Sequence, residues 1–360
     1  MSNWSSENND YTATFPIAAM DVSIVDLAPV PEGGSATDAY DNTVELAQLA
    51  DRLGYARYWL AEHHALGDSI ASTTPEVLIG HLAAETSSIR IGSGTILLNH
   101  YSPFKVAETF SSLDGLAPDR VDLGLGRATG VPAADRALGT DRRKEDPDGD
   151  HADKIEETAR YLYDGFSNTD PAAELQLARS DDGVPEIWVL GSSPSSAKIA
   201  ADLGLRYCFA AFIRPTLAER AFEVYREHFE PSEFGAGPDE PTGMLAMNVA
   251  CAETDDEAAR LRATAEASYQ RMRQGVAGSL PPVEEAIDEL GAVPDPTPNP
   301  LPEDRWPRSI SGSPETVSDL LEQLTDRVGV DEVIVQNLIA DHDDVLRSHE
   351  LLADGIGLEG

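Results

Sequence analysis

In Leu53-Gly54-Tyr55-Ala56-Arg57-Tyr58-Trp59-Leu60-Ala61-Glu62-His63-His64 a helical pattern ends, a short β-type run follows, and a polar segment leaves the end of that run. Leu53 closes an apolar stripe with Leu46, Leu49 and Ala50, spaced i, i+3, i+4, i+7 as on one face of a helix. The same alternation recurs outward in both directions. Eight β-type runs stand out: Ala18 to Val25, Ala56 to Leu60, Ile89 to Gly94, Arg120 to Gly124, Glu186 to Leu190, Arg206 to Ala210, Gly243 to Cys251 and Asp331 to Gln336. Helical patterns lie between them, among them a second stripe of Val317, Leu320, Leu321 and Leu324. Alternating runs of this kind build parallel βαβ units, and eight of them predict an α/β (β/α)8 TIM barrel. A doubly wound sheet would have roughly five or six strands. Four helix starts read as a hydroxyl N-cap before proline: Thr74-Pro75, Ser102-Pro103, Ser193-Pro194 and Ser313-Pro314.

Two stretches break the rhythm, giving expected insertions after strands four and seven. Gly130 to Gly183 holds the charged run Asp141 to Asp148 before a helix near Asp153 to Tyr163, and Gly275 to Pro307 is rich in proline, glycine and acid. Long excursions of a barrel usually follow strands on the catalytic face, although the second reads equally well as a passive surface insertion. The division expected is a disordered polar tail over 1–14 and one barrel domain over 15–360.

Among 360 residues, 64 are Asp or Glu and 26 are Lys or Arg, a formal net charge of -38. A surface so charged repels itself at low ionic strength, whereas molar salt shortens the Debye length to about 3 Å. The excess is spread over helices and loops, which predicts an enzyme from a halophile. Nucleic acid and anionic membrane are excluded as partners by like charge. Cys208 and Cys251 each sit in an apolar run and read as buried thiols. The polar, acidic start has no signal-peptide pattern and no run is long enough to span a membrane, so the expected location is cytoplasmic.

Barrel active sites lie at the C-terminal ends of the strands. After the second run, His63 suits general acid/base work with Glu62 fixing its tautomer, or else is a satisfied structural histidine. Neighbouring residues of an extended segment point to opposite sides, so His63 and His64 do not converge on a metal, and no metal site is expected. After the third run, Gly94 and Thr95 allow close backbone approach to a flat ligand or mark a bulge. After the fourth, Arg127 sits in a glycine-rich turn where it either grips a phosphate or makes a structural salt bridge. After the fifth, Gly191-Ser192-Ser193-Pro194-Ser195-Ser196 leads into a helix, an anion site by its amides and dipole, or a simple N-cap.

Residues 53–64, Ile91 through Asp114, Arg120 to Arg127 and Trp188 to Gly204, in that order, resemble the bacterial luciferase-like flavin-dependent oxidoreductases, in particular their single-component, monooxygenase-like branch. The resemblance runs from about Met20 to the C-terminus. It implies FMN, its phosphate held between Arg127 and Ser192, Ser193 and Ser196, with the isoalloxazine near Gly94-Thr95, where the family often has a non-prolyl cis peptide. His63 falls on the family's catalytic histidine, and Asn99 and Asp114 on polar positions near the flavin. Gly126 stands where luciferase has cysteine, and a serine-rich turn replaces Glu-Ser-x-x-Thr, so adduct chemistry tied to that thiol does not carry over and light emission is not implied.

The function implied is a monooxygenase using reduced FMN and O2 on a small organic substrate, with a separate flavin reductase or NAD(P)H as electron source. A deazaflavin-dependent hydride-transfer enzyme and a non-catalytic partner subunit are the alternatives. A homodimer is the family expectation.

Overall fold

The computed structural model describes residues 20–127, 132–138, 147–180, 183–276, 278–358 and 360. The tail expected over 1–14 and most of the charged run 141–148 lie outside the described residues. In chain order the elements are β1 (Asp21–Asp26), α1 (Ala36–Leu53), β2 (Arg57–Leu60), α2 (Pro75–Glu85), β3 (Arg90–Ser93), β4 (Ile96–Leu97), α3 (Pro103–Leu116), β5 (Val121–Gly126), α4 (Pro132–Ala137) and α5 (Pro147–Leu162). They continue with β6 (Glu186–Gly191), α6 (Pro194–Asp202), β7 (Arg206–Ala210), α7 (Ala218–His228), β8 (Gly243–Cys251), α8 (Asp255–Arg273), α9 (Val283–Leu290), β9 (Ser309–Gly312), α10 (Pro314–Val328), β10 (Glu332–Gln336) and α11 (His342–Ile356).

All named strands pair in parallel, in the order β10-β1-β2-β3-β5-β6-β7-β8, and β8 pairs with β10 to close the ring. The eight expected runs are its eight staves. Two short strands were not expected. β4 continues β3 past Gly94-Thr95 and pairs with β5, and β9 pairs with the upper half of β8. β8 thus serves three neighbours, β7 along Gly243 to Ala246, β10 along Met244 to Asn248 and β9 along Asn248 to Cys251. The insertion after β5 carries α4 and α5, and the stretch after α8 carries α9. That second stretch ends in β9 rather than leading directly to a helix.

Helix caps explain several boundaries. Ser193 and Ser313 accept hydrogen bonds from the backbone N–H of Ser196 and Thr316. Thr74 and Ser102 occupy the N-cap position before proline but make no side-chain cap bond, and the Thr74 hydroxyl lies 3.3 Å from that of Thr73 instead. Val317, Leu320, Leu321 and Leu324 are fully buried against the barrel.

Inside the ring, Val25, Trp59, Trp188, Cys208, Met244, Ala246 and Ile334 form one apolar cluster, with the Trp59 and Trp188 rings edge to face at 5.5 Å. Room for two indoles comes from glycines on the facing strands. A Cβ on Gly92 would lie 2.6 Å from Asp122 Cβ and 2.8 Å from Trp59 Cδ1. Below the indoles Arg57 bridges Asp122, Glu186 and Glu332, each at 2.9 Å, and the Trp59 indole N–H donates to Asp122 Oδ2 at 2.9 Å. Burial works against the Arg57 charge, but Asp122, Glu332 and Glu186 outweigh it and push its pKa above the ordinary guanidinium value. The barrel floor is therefore a fixed ionic plug, and the open end is the C-terminal mouth. No helix among the described residues is long and apolar enough to cross a membrane.

Candidate functional site

The segment after β2 stays extended, so its side chains alternate. Glu62, 2% exposed, points with His64 away from the barrel axis: its Oε1 lies 2.5 Å from His64 Nε2 and accepts the Tyr101 hydroxyl at 2.6 Å, and its Oε2 accepts the Leu97 N–H at 2.8 Å. The expectation that Glu62 fixes the tautomer of His63 is therefore incorrect; residues two apart share a side, and Glu62 holds His64. His63 is anchored by its backbone N–H on Ser72 O at 2.9 Å, and its Nδ1 is buried without a hydrogen-bond partner. Burial, with His64 adding to it, pushes the His63 pKa below the ordinary imidazole value. A neutral ring with an unengaged nitrogen can take or hold a proton.

At the next strand end the Gly94-Thr95 peptide is cis. The Gly94 N–H donates to Leu60 O at 2.8 Å, tying the turn to β2, and the Thr95 hydroxyl donates to Ile96 O at 3.2 Å. Asn99 Oδ1 lies 3.3 Å from His151 Nδ1. Burial, then Arg127 and Lys154, push the His151 pKa down to about 4. Lys154 donates to the carbonyls of Leu98, Asn99 and Tyr101. His151 and Lys154 were missed in the sequence because α5 lies within the irregular insertion; Tyr101, a ligand of Glu62, carried no local signal.

Arg127 directly follows β5, and β5 pairs with β6, so Arg127 and the turn Gly191-Ser192-Ser193 occupy neighbouring strand ends. In that turn Ser193 Oγ lies 2.9 Å from Ser195 Oγ, and the Ser196 hydroxyl donates to Ser193 O at 2.7 Å. A Cβ on Gly191 would fall 2.1 Å from Ser196 Oγ, so glycine lets the helix start close against the strand. At the start of α6 Pro194 has no N–H and that of Ser196 is taken by the Ser193 hydroxyl at 3.4 Å, so the Ser195 N–H and the helix dipole are what the turn offers an anion. Asp114 is a correction: it lies in the last turn of α3 at the N-terminal end of the barrel, beside Asp119 and Arg90, away from the mouth.

Residues 20–332 match the family of luciferase-like monooxygenases. The chain belongs to that family. It is 36% identical over 332 residues to the luciferase-like monooxygenase of Escherichia coli (strain K12), covering 92% of this chain and 96% of the other. It is 34% identical over 341 residues to the N-acetyl-S-alkylcysteine monooxygenase of Bacillus subtilis (strain 168), covering 93% and 98%. The crystal structure of apo-MsnO8 superposes with a TM-score of 0.81 at 42% identity, covering 94% of this chain and 99% of that one. The family's fold, the closed parallel barrel with flanking helices, is the one described above.

The residues at the mouth suit a phosphate-bearing flavin cofactor. Arg127 and the Ser195 N–H at the start of α6 are donors suited to a phosphate, Arg127 and Lys154 bring positive charge to this corner alongside the Asp150 carboxylate, and the buried Nδ1 of His63 is left for a ligand or water.

Proposed function

We propose that the protein is an FMN-dependent monooxygenase that uses reduced FMN and O2 to oxidise a small organic substrate. The observation that carries this reading is the meeting of Arg127 and the α6 N-terminus on adjacent strand ends, in a chain of the luciferase-like monooxygenase family. Bound reduced FMN supplies the electrons that activate oxygen. Arg127, with Ser192, Ser193 and Ser196 around the start of α6, binds the phosphate; Gly191 brings that turn close to the strand. Gly94, Thr95 and Asn99 border the space for the ring system. His63 holds or moves a proton at Nδ1, and Glu62 is a positioning residue that acts through His64 and Tyr101. A flavin reductase, or NAD(P)H used directly, supplies the electrons.

One relative is named for a small substrate, N-acetyl-S-alkylcysteine, and a small molecule is the substrate class taken here. A net charge of -38 repels itself least when screened by concentrated salt, so assays belong in molar KCl. Flavin binding and oxygen uptake with His63→Ala test the reading: FMN is bound and substrate-dependent oxygen uptake falls about a hundredfold or more. Unchanged uptake would remove His63 from the chemistry.

A further inference from the structure

Asn248 of β8 pairs with Gln336 of β10 and with Ser309 of β9. It shares strand parity with Met244 and Ala246 of the interior cluster, so its side chain turns to the barrel mouth. It is 2% exposed; its Nδ2 donates to the Tyr269 hydroxyl at 2.5 Å, and its Oδ1 has no hydrogen-bond partner. Ser309, Ile339 and, from α8, Leu261, Arg262 and Ala265 line a small cleft with it, and Tyr269 and Arg308 lie beside that cleft through their contacts with Asn248 and with each other. A buried amide end without a partner is unfavourable, and a ligand that completes it is favoured by the same amount.

Arg308, next to β9, stacks its guanidinium over the Tyr269 ring at 4.9 Å and donates through Nη1 to Phe212 O. It is half-buried and has no carboxylate partner among the described residues, in a chain where acids outnumber bases 64 to 26. Arg262, the nearby arginine of α8, instead donates to Thr297, Ser311 and Asp295 O and has a carboxylate partner in Glu266. A guanidinium has five N–H donors, and Arg308 keeps several for a ligand.

β8 is diametrically across the ring from β3, reached by β5, β6 and β7 one way and by β2, β1 and β10 the other. Arg308 and Asn248, joined through Tyr269, thus stand opposite Gly94-Thr95. Phe212 packs beside them on the apolar interior cluster.

We infer that Asn248, Tyr269 and Arg308 form the substrate-anchoring wall and that it takes a small N-acylated amino acid. The carboxylate pairs with the Arg308 guanidinium, the acylamide completes the Asn248 amide, and the apolar side chain lies against Phe212. The acylamide N–H supplies the donor that the Asn248 Oδ1 lacks, since its Nδ2 is already given to Tyr269. The inference rests on the proposed function for the identity of this ligand as substrate; its binding does not depend on flavin.

Calorimetry in molar KCl, with and without FMN, would compare N-acetylmethionine, its methyl ester, and the analogue with an ester oxygen in place of the amide N–H. The acid is expected to bind about tenfold to a hundredfold more tightly than either analogue. Arg308→Gln loses the preference over the methyl ester, Asn248→Ala loses the preference over the ester-oxygen analogue, and both retain wild-type FMN affinity. Arg308→Lys, which keeps the charge without the planar fork, falls between. Equal binding of acid and methyl ester, absence of N-acetylmethionine binding, or an intact preference in folded Arg308→Gln and Arg308→Lys would overturn the inference. Failure of FMN to bind would count against the flavin reading, since the amino-acid titration is read without it.

Discussion

Glu62 and His64 are two residues apart on one side of the chain after β2, joined by a 2.5 Å contact between Oε1 and Nε2, and His63 between them turns to the other side with its Nδ1 unpaired. This separates two jobs that adjacency in sequence had merged. Glu62→Ala strands the Leu97 amide and the Tyr101 hydroxyl in a buried place, at a cost of about 1–3 kcal/mol for each. Urea unfolding should show that loss in Glu62→Ala, whereas His63→Ala should unfold within about 0.5 kcal/mol of wild type while losing turnover. A stable Glu62→Ala would mean that the three contacts do not hold the segment.

Gly124 on β5 packs so close to β3 that a Cβ there would lie 2.0 Å from Ser93 O and 2.9 Å from Leu190 Cδ1. The Ser93 hydroxyl also binds both the N–H and the carbonyl of Gly124 at 3.0 Å. Gly124→Ala must push the two staves apart, and a loss of about 3 kcal/mol or more is expected. Gly115, exposed on α3 with nothing within 4 Å of its added Cβ, is the control. Gly115→Ala should stabilise by about 0.5–1 kcal/mol, both read from denaturant midpoints.

The barrel was legible because its signals repeat: each stave is a β-type run, and the helix stripes such as Val317, Leu320, Leu321 and Leu324 face inward as their spacing requires. β9 was not, because Ser309 to Gly312 is short, alternates weakly and follows a proline-rich stretch. β4, Ile96 and Leu97, is too short for periodicity to register. Arg127 and the serine turn were singled out from their place after strands, and the pairing of β5 with β6 puts them on neighbouring strand ends. Asp114 was misplaced because likeness of sequence does not tell which end of a helix faces the mouth. The partner of Glu62 was open to reading, since the period of two already sets it beside His64 and not His63. Asn248 and Arg308 could not be paired from sequence, because they meet only through Tyr269 on α8.

His349 on α11 is 1% exposed, with Nδ1 3.3 Å from the Tyr55 hydroxyl and Nε2 unpartnered. Burial pushes its pKa down from 6.5 to about 4. Between those values the unfolded chain takes a proton that the folded one refuses, so stability is complete above the unfolded value and falls with pH toward 4. The full effect is about 3 kcal/mol. His349→Gln should remove it, so that wild type loses more unfolding free energy than the variant between neutral pH and pH 4. Parallel pH profiles for the two proteins would show that His349 is not buried neutral.

The most direct measurement is a fluorescence titration of the protein with FMN in molar KCl, alongside Arg127→Ala, with a deazaflavin as the competing ligand. The account predicts saturable FMN binding, preference over the deazaflavin, and about tenfold to a hundredfold weaker binding in Arg127→Ala. FMN that fails to bind, or a deazaflavin that displaces it at equal concentration, would contradict it.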